Sequence, residues 1–128
     1  LIHRIEQVAD HAANIAKYVT MLSEREKGIP ESLLELLVKA GNEAFNAYSE
    51  AVNVFFSKDV ERANDVIEVE KKVDKMDREI ASQAFLGGKG DAETVCAICS
   101  IRDSIKRIAE HAADIAEIAI DRSYKVPP

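Results

Sequence analysis

Tryptophan is absent from the 128 residues, the other aromatics amount to four Phe and three Tyr, and only five Gly and three Pro interrupt the chain. Sheet sandwiches and barrels draw their cores from aromatic and β-branched residues and their turns from Gly and Pro, so this composition argues against both. Two cysteines, Cys96 and Cys99, are too few for a disulfide framework. No apolar run reaches the roughly 18 to 20 residues of a membrane-spanning helix, and the start of the chain lacks the basic-then-apolar pattern of a signal peptide. The expected compartment is the cytoplasm, with membrane contact only through partners. An excess of positive charge is missing too. The formal charge of −6 sets a net repulsion against phosphates, so no direct nucleic-acid binding by this segment is expected.

What remains is a chain in which hydrophobic residues make up 47% and charged residues 31%, enough apolar material for one core. Their spacing predicts four long helices. The first runs from Leu1 to about Arg25, with Ile5, Val8, Ala12, Ile15, Val19 and Leu22 in one stripe, and Gly28 and Pro30 end it. The second spans Glu31 to about Phe56, with Pro30 at its first turn and an apolar face of Leu33, Leu34, Leu37, Ala40, Ala44, Tyr48, Ala51, Val52 and Phe55. After a break at Ser57-Lys58-Asp59, the third covers Val60 to Phe85 and uses Ala63, Val66, Ile67, Val73, Met76 and Ile80. Gly87-Gly88-Lys89-Gly90 reads as an inter-helix loop. The fourth starts near Asp91, whose carboxylate suits the free amides of a helix start, and carries Val95, Ile98, Ile101, Ile105, Ile108, Ala112, Ile115 and Ala119 until Pro127-Pro128 stop it. Short connections make the expected fold class all-α, an up-down antiparallel bundle of four long helices.

A shift of one hundred residues superposes Ile5, Ala9, His11, Ala12, Ala13, Ile15 and Ala16 on identical residues at 105, 109, 111, 112, 113, 115 and 116. So long a period is not that of a solenoid array; it reads as a duplicated three-helix unit whose first copy is truncated. On this reading residues 1–27 are the last helix of the first repeat and residues 30–128 the second three-helix repeat. The expectation is a fragment of a longer protein.

The segment Glu6-Gln7-Val8-Ala9-Asp10-His11-Ala12-Ala13-Asn14-Ile15-Ala16 resembles the signature helix of the PhoU family of phosphate-uptake regulators, in which Glu-x-x-x-Asp precedes small residues and an Asn-Ile-Ala-like ending. Ala63-Asn64-Asp65-Val66-Ile67 and Val73-Asp74-Lys75-Met76-Asp77-Arg78-Glu79-Ile80 resemble that family's middle helix, so the likeness extends over most of the chain. The second copy departs from the motif, with Lys106 in place of the leading glutamate and Glu110 in place of the aspartate. Its acidic pair, Glu110 with Asp114, stands one turn further on.

The resemblance implies a non-enzymatic regulator of phosphate uptake and phosphate homeostasis, acting on a phosphate transporter ATPase or a sensor kinase; a homodimer is expected because helical bundles often pair through their helix faces. It also implies iron or zinc bound at surface carboxylates, with Glu6, Asp10, Glu110 and Asp114 as the candidate metal ligands. Residues at i and i+4 share a helix face, and carboxylate oxygens suit hard or borderline cations. Yet 23 acidic residues produce several such pairs by composition alone, and solvated acidic faces are their commonest fate. Two alternatives stay open, a PhoU-like regulatory domain of a longer DNA-binding regulator or transporter, and a metal-binding or metal-storage bundle.

Other constellations speak for structure. His11 and His111 lie at the edge of the apolar stripe, where an imidazole hydrogen-bonds a neighbouring helix. Val8 and Ile108 stand three residues before them, so the Glu-x-x-His of di-iron bundles is missing. His-Glu-x-x-His, a Walker phosphate loop and a Gly-x-Ser-x-Gly elbow are missing as well. Cys96-Ala97-Ile98-Cys99 has redox-motif spacing without the preceding strand that such motifs use, which favours plain packing.

Overall fold

The computed structural model describes residues 1–24, 29–86 and 91–124, and among these it is helical, with four helices and no strand. They are α1 (Ile2–Ser23), α2 (Glu31–Ser57), α3 (Val60–Leu86) and α4 (Ala92–Tyr124). The expected loop at Gly87–Gly90, Gly28 and the Pro127-Pro128 stop lie outside the described residues.

Local chemistry sets the boundaries. Pro30 lacks the amide a helix start leaves unpaired anyway, and its carbonyl accepts the Leu33 and Leu34 amides at 3.0 Å. Lys58 closes α2 in the left-handed region (φ 60°), and its amide donates to the Val54 carbonyl at 2.8 Å. A non-glycine residue held there costs on the order of 1 kcal/mol, borne so that the chain reverses within two residues. Asp59 then accepts the Arg62 amide at 3.2 Å, and Asp91 accepts the Thr94 amide at 2.8 Å. Each carboxylate satisfies an orphan donor at a positive helix start.

Helices α2, α3 and α4 pack on one another, whereas the backbone of α1 approaches α4 alone. The core follows from that. Its two clusters join through Tyr48 and Val69, one around Leu37, Ala44, Val73, Ile80, Ile105 and Ile108, the other around Ala51, Val54, Ala63, Val66, Ile115 and Ala116. Nearly half of the buried apolar side chains are alanines, which lets helix axes approach toward the lower end of the usual interaxial range of about 8 to 10 Å. Enclosed by three neighbours, α4 buries Ile98, Ile101, Ile105, Ile108, Ala112, Ile115 and Ala119 as expected.

Helix α1 differs from its expected stripe. Only Val8 is buried, while Ile5 and Val19 stay 37% and 49% exposed, because a helix with one neighbour covers one narrow seam. That seam holds Arg4, Val8, His11, Ile15, Tyr18 and Leu22, at alternating spacings of three and four. Beside it, α1 and the first half of α2 flank an apolar groove of about 510 Å³ floored by Ile101 and Ile105 of α4.

Candidate functional site

The seam between α1 and α4 is made by the repeated segment meeting its own copy. Asn14 Nδ2 donates to Ser104 Oγ at 2.8 Å, and Arg4 Nη2 pairs with Asp114 Oδ2 at 3.4 Å. Position 4 of each copy thus meets position 14 of the other, the reciprocity of a two-fold arrangement within one chain. Near the middle the His11 and His111 rings meet at a 31° tilt with centroids 5.7 Å apart. Asn14 is drawn to α4 by the buried Ser104 hydroxyl, whereas His3, Glu6, Asp10 and Lys17 of the same helix are exposed.

His111 is 8% exposed, and its Nδ1 lies 3.4 Å from Arg4 Nη1, which has hydrogens to give and no lone pair to offer. Its pKa is lowered from 6.5 by burial first, then by the Arg4 charge and by His11, with Asp114 and Glu110 opposing. The ring is therefore neutral at pH 7 and accepts at Nδ1.

On the flank of α4 the carboxylates gather. Glu70 of α3 has its pKa raised above 4.5, by burial first and then by Asp74, Glu110, Asp114 and Glu117. Four further carboxylates thus act on Glu70, two of them from the expected set, Glu110 and Asp114. Arginines hold both of these, since Glu110 Oε2 accepts from Arg107 Nη1 at 3.3 Å and Asp114 pairs with Arg4. Asp74 Oδ1 is buried without a hydrogen-bond partner among the described residues. Asp77, one turn beyond it, belongs to a different contact, an ion pair with Arg102 Nε at 2.6 Å that is off the line of a hydrogen bond.

The expected ligands therefore part company. Glu110 and Asp114 join Glu70 and Asp74, whereas Glu6 and Asp10 are exposed on α1 and are not among the groups that raise Glu70. Glu70 and Asp74 were missed although they carry the same Glu-x-x-x-Asp spacing and flank one side of the Val66, Val73 and Ile80 stripe. Among the described residues no three His, Cys, Asp or Glu side chains converge closely enough to hold a metal ion. Cys96 is an exposed free thiol and Cys99 a half-buried one. No described helix is long and apolar enough to cross a membrane.

Compared with known proteins, residues 37–119 match a family model described as PhoU domain. That span holds Glu70, Asp74, Glu110 and Asp114 and leaves out α1. No curated protein and no solved structure matches the chain.

Proposed function

Because the chain belongs to the PhoU domain family, whose members are regulatory, non-enzymatic proteins of phosphate homeostasis that act through protein contacts, we propose that it regulates phosphate uptake by docking on a partner rather than by catalysis. The partner is a phosphate transporter ATPase or a sensor kinase, met in the cytoplasm by a homodimer. The docking face is the carboxylate flank of α3 and α4. The observation that carries the reading is the family match across the two helices that bring Glu70, Asp74, Glu110 and Asp114 together.

The same flank is the place for the cation, iron or zinc. Its fit rests on the donor set: four carboxylates in two Glu-x-x-x-Asp pairs, a Glu70 carboxyl whose pKa is raised by burial and then by the surrounding carboxylates, and a buried Asp74 oxygen that lacks a hydrogen-bond partner among the described residues. Hard and borderline cations take such oxygens. Side-chain rotation has to complete the site, because no three of these side chains converge as they stand and two of the four are engaged by arginines. A bound cation supplies positive charge to an acidic face and so changes which partner surface that face complements. Glu6 and Asp10, on the exposed side of α1, are a secondary candidate pair.

The test is a pull-down with the tagged chain from cells held at high or low phosphate, with metal analysis of the same sample. Capture of the transporter ATPase or sensor kinase, lost in the Glu70→Ala/Glu110→Ala variant while the circular dichroism is unchanged, supports the docking face. Equal capture by variant and parent rejects that face, and a sample free of iron and zinc rejects the cation.

A further inference from the structure

We infer that the apolar face shared by α1 and α2 is where a second copy of this chain docks, the two copies related by a two-fold axis that sets each α1 antiparallel to the other. The inference rests on the homodimer reading above and names the face that the homodimer uses.

Exposed apolar side chains are spread unevenly over the bundle. Among the described residues, seven of the nine large hydrophobics left exposed stand on α1 and α2, and none stands on α3. On α2 they are Leu34, Val38, Phe45 and Phe56; on α1 they are Ile2, Ile5 and Val19. Between the two rows lies the groove of about 510 Å³, walled by Ile15 and Val19 on one side and by Leu34, Val38 and Phe45 on the other. No described Asp, Glu, Lys or Arg lines it, in a chain of which 31% is charged. A contiguous uncharged surface of this kind marks an interface. Gly41 points the same way. It stands inside α2, where glycine weakens a helix, and it borders the groove. Nothing inside the chain calls for it, since a Cβ there would meet Ile105 Cδ1 at 3.8 Å, an ordinary contact. The missing side chain leaves room for a body that enters the groove from outside.

The face fits a copy of itself. Ile2, Ile5, Ala9, Ala12, Ala16 and Val19 follow one another at alternating spacings of three and four, a second seam beside the one that meets α4. All are exposed except Ala12, which is half-buried. In the other copy of the repeat the matching row, Ile105, Ala109, Ala112, Ala116 and Ala119, is buried under α2 and α3, so the row is one on which helices pack. On α1 its sizes run large, large, small, small, small, large, nearly the same in both directions. Turned antiparallel about its middle, the row sets alanine on alanine, where axes approach to about 8 Å, and brings Ile2 near Val19 at the ends. An isologous pair needs that self-complementarity, and a foreign helix does not.

Charge and area favour the same occupant. The chain carries a formal −6, and its carboxylate flank lies on α3 and α4, so a second copy meets least repulsion at the uncharged face of α1 and α2. Two helices of 22 and 27 residues, each about 10 Å wide, present a surface on the order of 700 Å² per copy, a little under the 800 Å² or so of a standard interface. Pairing is therefore expected at roughly tens of micromolar, and the dilute chain is monomeric.

The experiment is sedimentation velocity of the full chain from roughly 1 to 300 µM, a range that brackets such an affinity. Ala9→Glu and Val38→Glu each place a charge at an exposed position of the face, and Ser82→Glu places the same charge at an exposed position of α3. Circular dichroism is the folding control. The parent should move from 14.1 kDa toward twice that mass as concentration rises, with pairing at least tenfold weaker in both face variants and unchanged in Ser82→Glu. In a Cys96→Ala/Cys99→Ala background, Ala12→Cys should cross-link copy to copy on mild oxidation, and Ser82→Cys should not. Parent affinity in either face variant, equal weakening by Ser82→Glu, or no cross-link through Ala12→Cys overturns the inference and leaves a homodimer built on another face. A parent that stays monomeric throughout overturns the inference and the homodimer reading together.

Discussion

Ile5 and Ile105 are the same residue at the same place in the two copies of the repeat, yet one is 37% exposed and the other 4%. Replacing isoleucine by alanine removes three carbons, worth about 2.4 kcal/mol when fully buried, at about 0.8 kcal/mol each. Nearly all of that applies at Ile105, and the space left between α2 and α4 adds roughly 1 kcal/mol, for a total near 3 kcal/mol. At Ile5 roughly 60% applies and no closed cavity forms, because that side of α1 faces no other helix; a few tenths return as helix propensity, leaving about 1 kcal/mol. Urea unfolding followed by far-ultraviolet circular dichroism reads the difference directly, as two midpoint shifts at a common slope. Equal losses within about 0.5 kcal/mol would refute the reasoning. They would mean that the outer face of α1 is as enclosed in solution as the inner face of α4.

Three further outcomes follow from the seam and the carboxylates. A double-mutant cycle of Asn14→Ala and Ser104→Ala should give a coupling of about 1 kcal/mol, since either single change strands a polar group at a seam where Ser104 is buried; additive losses would deny the bond. Because the folded chain lowers the His111 pKa from 6.5, the unfolded chain binds more protons below that value, and stability falls as pH drops through it. Between about pH 7 and about pH 5.5 the parent should therefore lose more thermal stability than His111→Gln, and parallel losses would exclude the ring as the cause. Glu70 has the opposite sign, its raised pKa making the folded chain less stable as pH rises through it. Glu70→Gln should then stabilise the chain at neutral pH by up to about 0.5 kcal/mol, a modest figure because the group is partly solvated, and the gain should fade in acid; destabilisation at neutral pH would contradict the repulsion.

The fold was readable where a helix is surrounded. Spacing named seven of the thirteen buried residues of α4, and the six it left out, Ala97, Ser104, Ala109, His111, Ala113 and Ala116, are small or polar residues that find cover because a helix with neighbours on several sides buries a wider face than its large apolar residues mark. The same spacing overstated α1, assigning Ile5 and Val19 to a covered stripe that one neighbour is too narrow to cover. Periodicity reports that an apolar face exists and says nothing of how many helices lie against it. The chain reversal at Ser57-Lys58-Asp59 was readable from its residues, although the left-handed Lys58 has no sequence signal of its own, lysine being an uncommon choice there. The contact of His11 with His111 was hidden for a different reason. It depends on the repeat packing against itself, and a repeat found in sequence does not say that its two copies touch.

The site shows the same limit more sharply. The four acidic candidates lie on the two copies of one motif, and the better match to the motif, Glu6 with Asp10, sits on the helix with a single neighbour. What decides between the copies is the company each keeps. Helix α3 lies along α4 and not along α1, so Glu110 and Asp114 face a second acidic helix edge, with Glu70 and Asp74, while Glu6 and Asp10 face none among the described helices. A carboxylate pair on one helix is an ordinary solvated feature. Two pairs on adjacent helices add their charge to burial in raising the Glu70 pKa, and Arg4 and Arg107 answer part of that negative charge. Motif strength ranked the two copies one way, and the electrostatics of packing rank them the other.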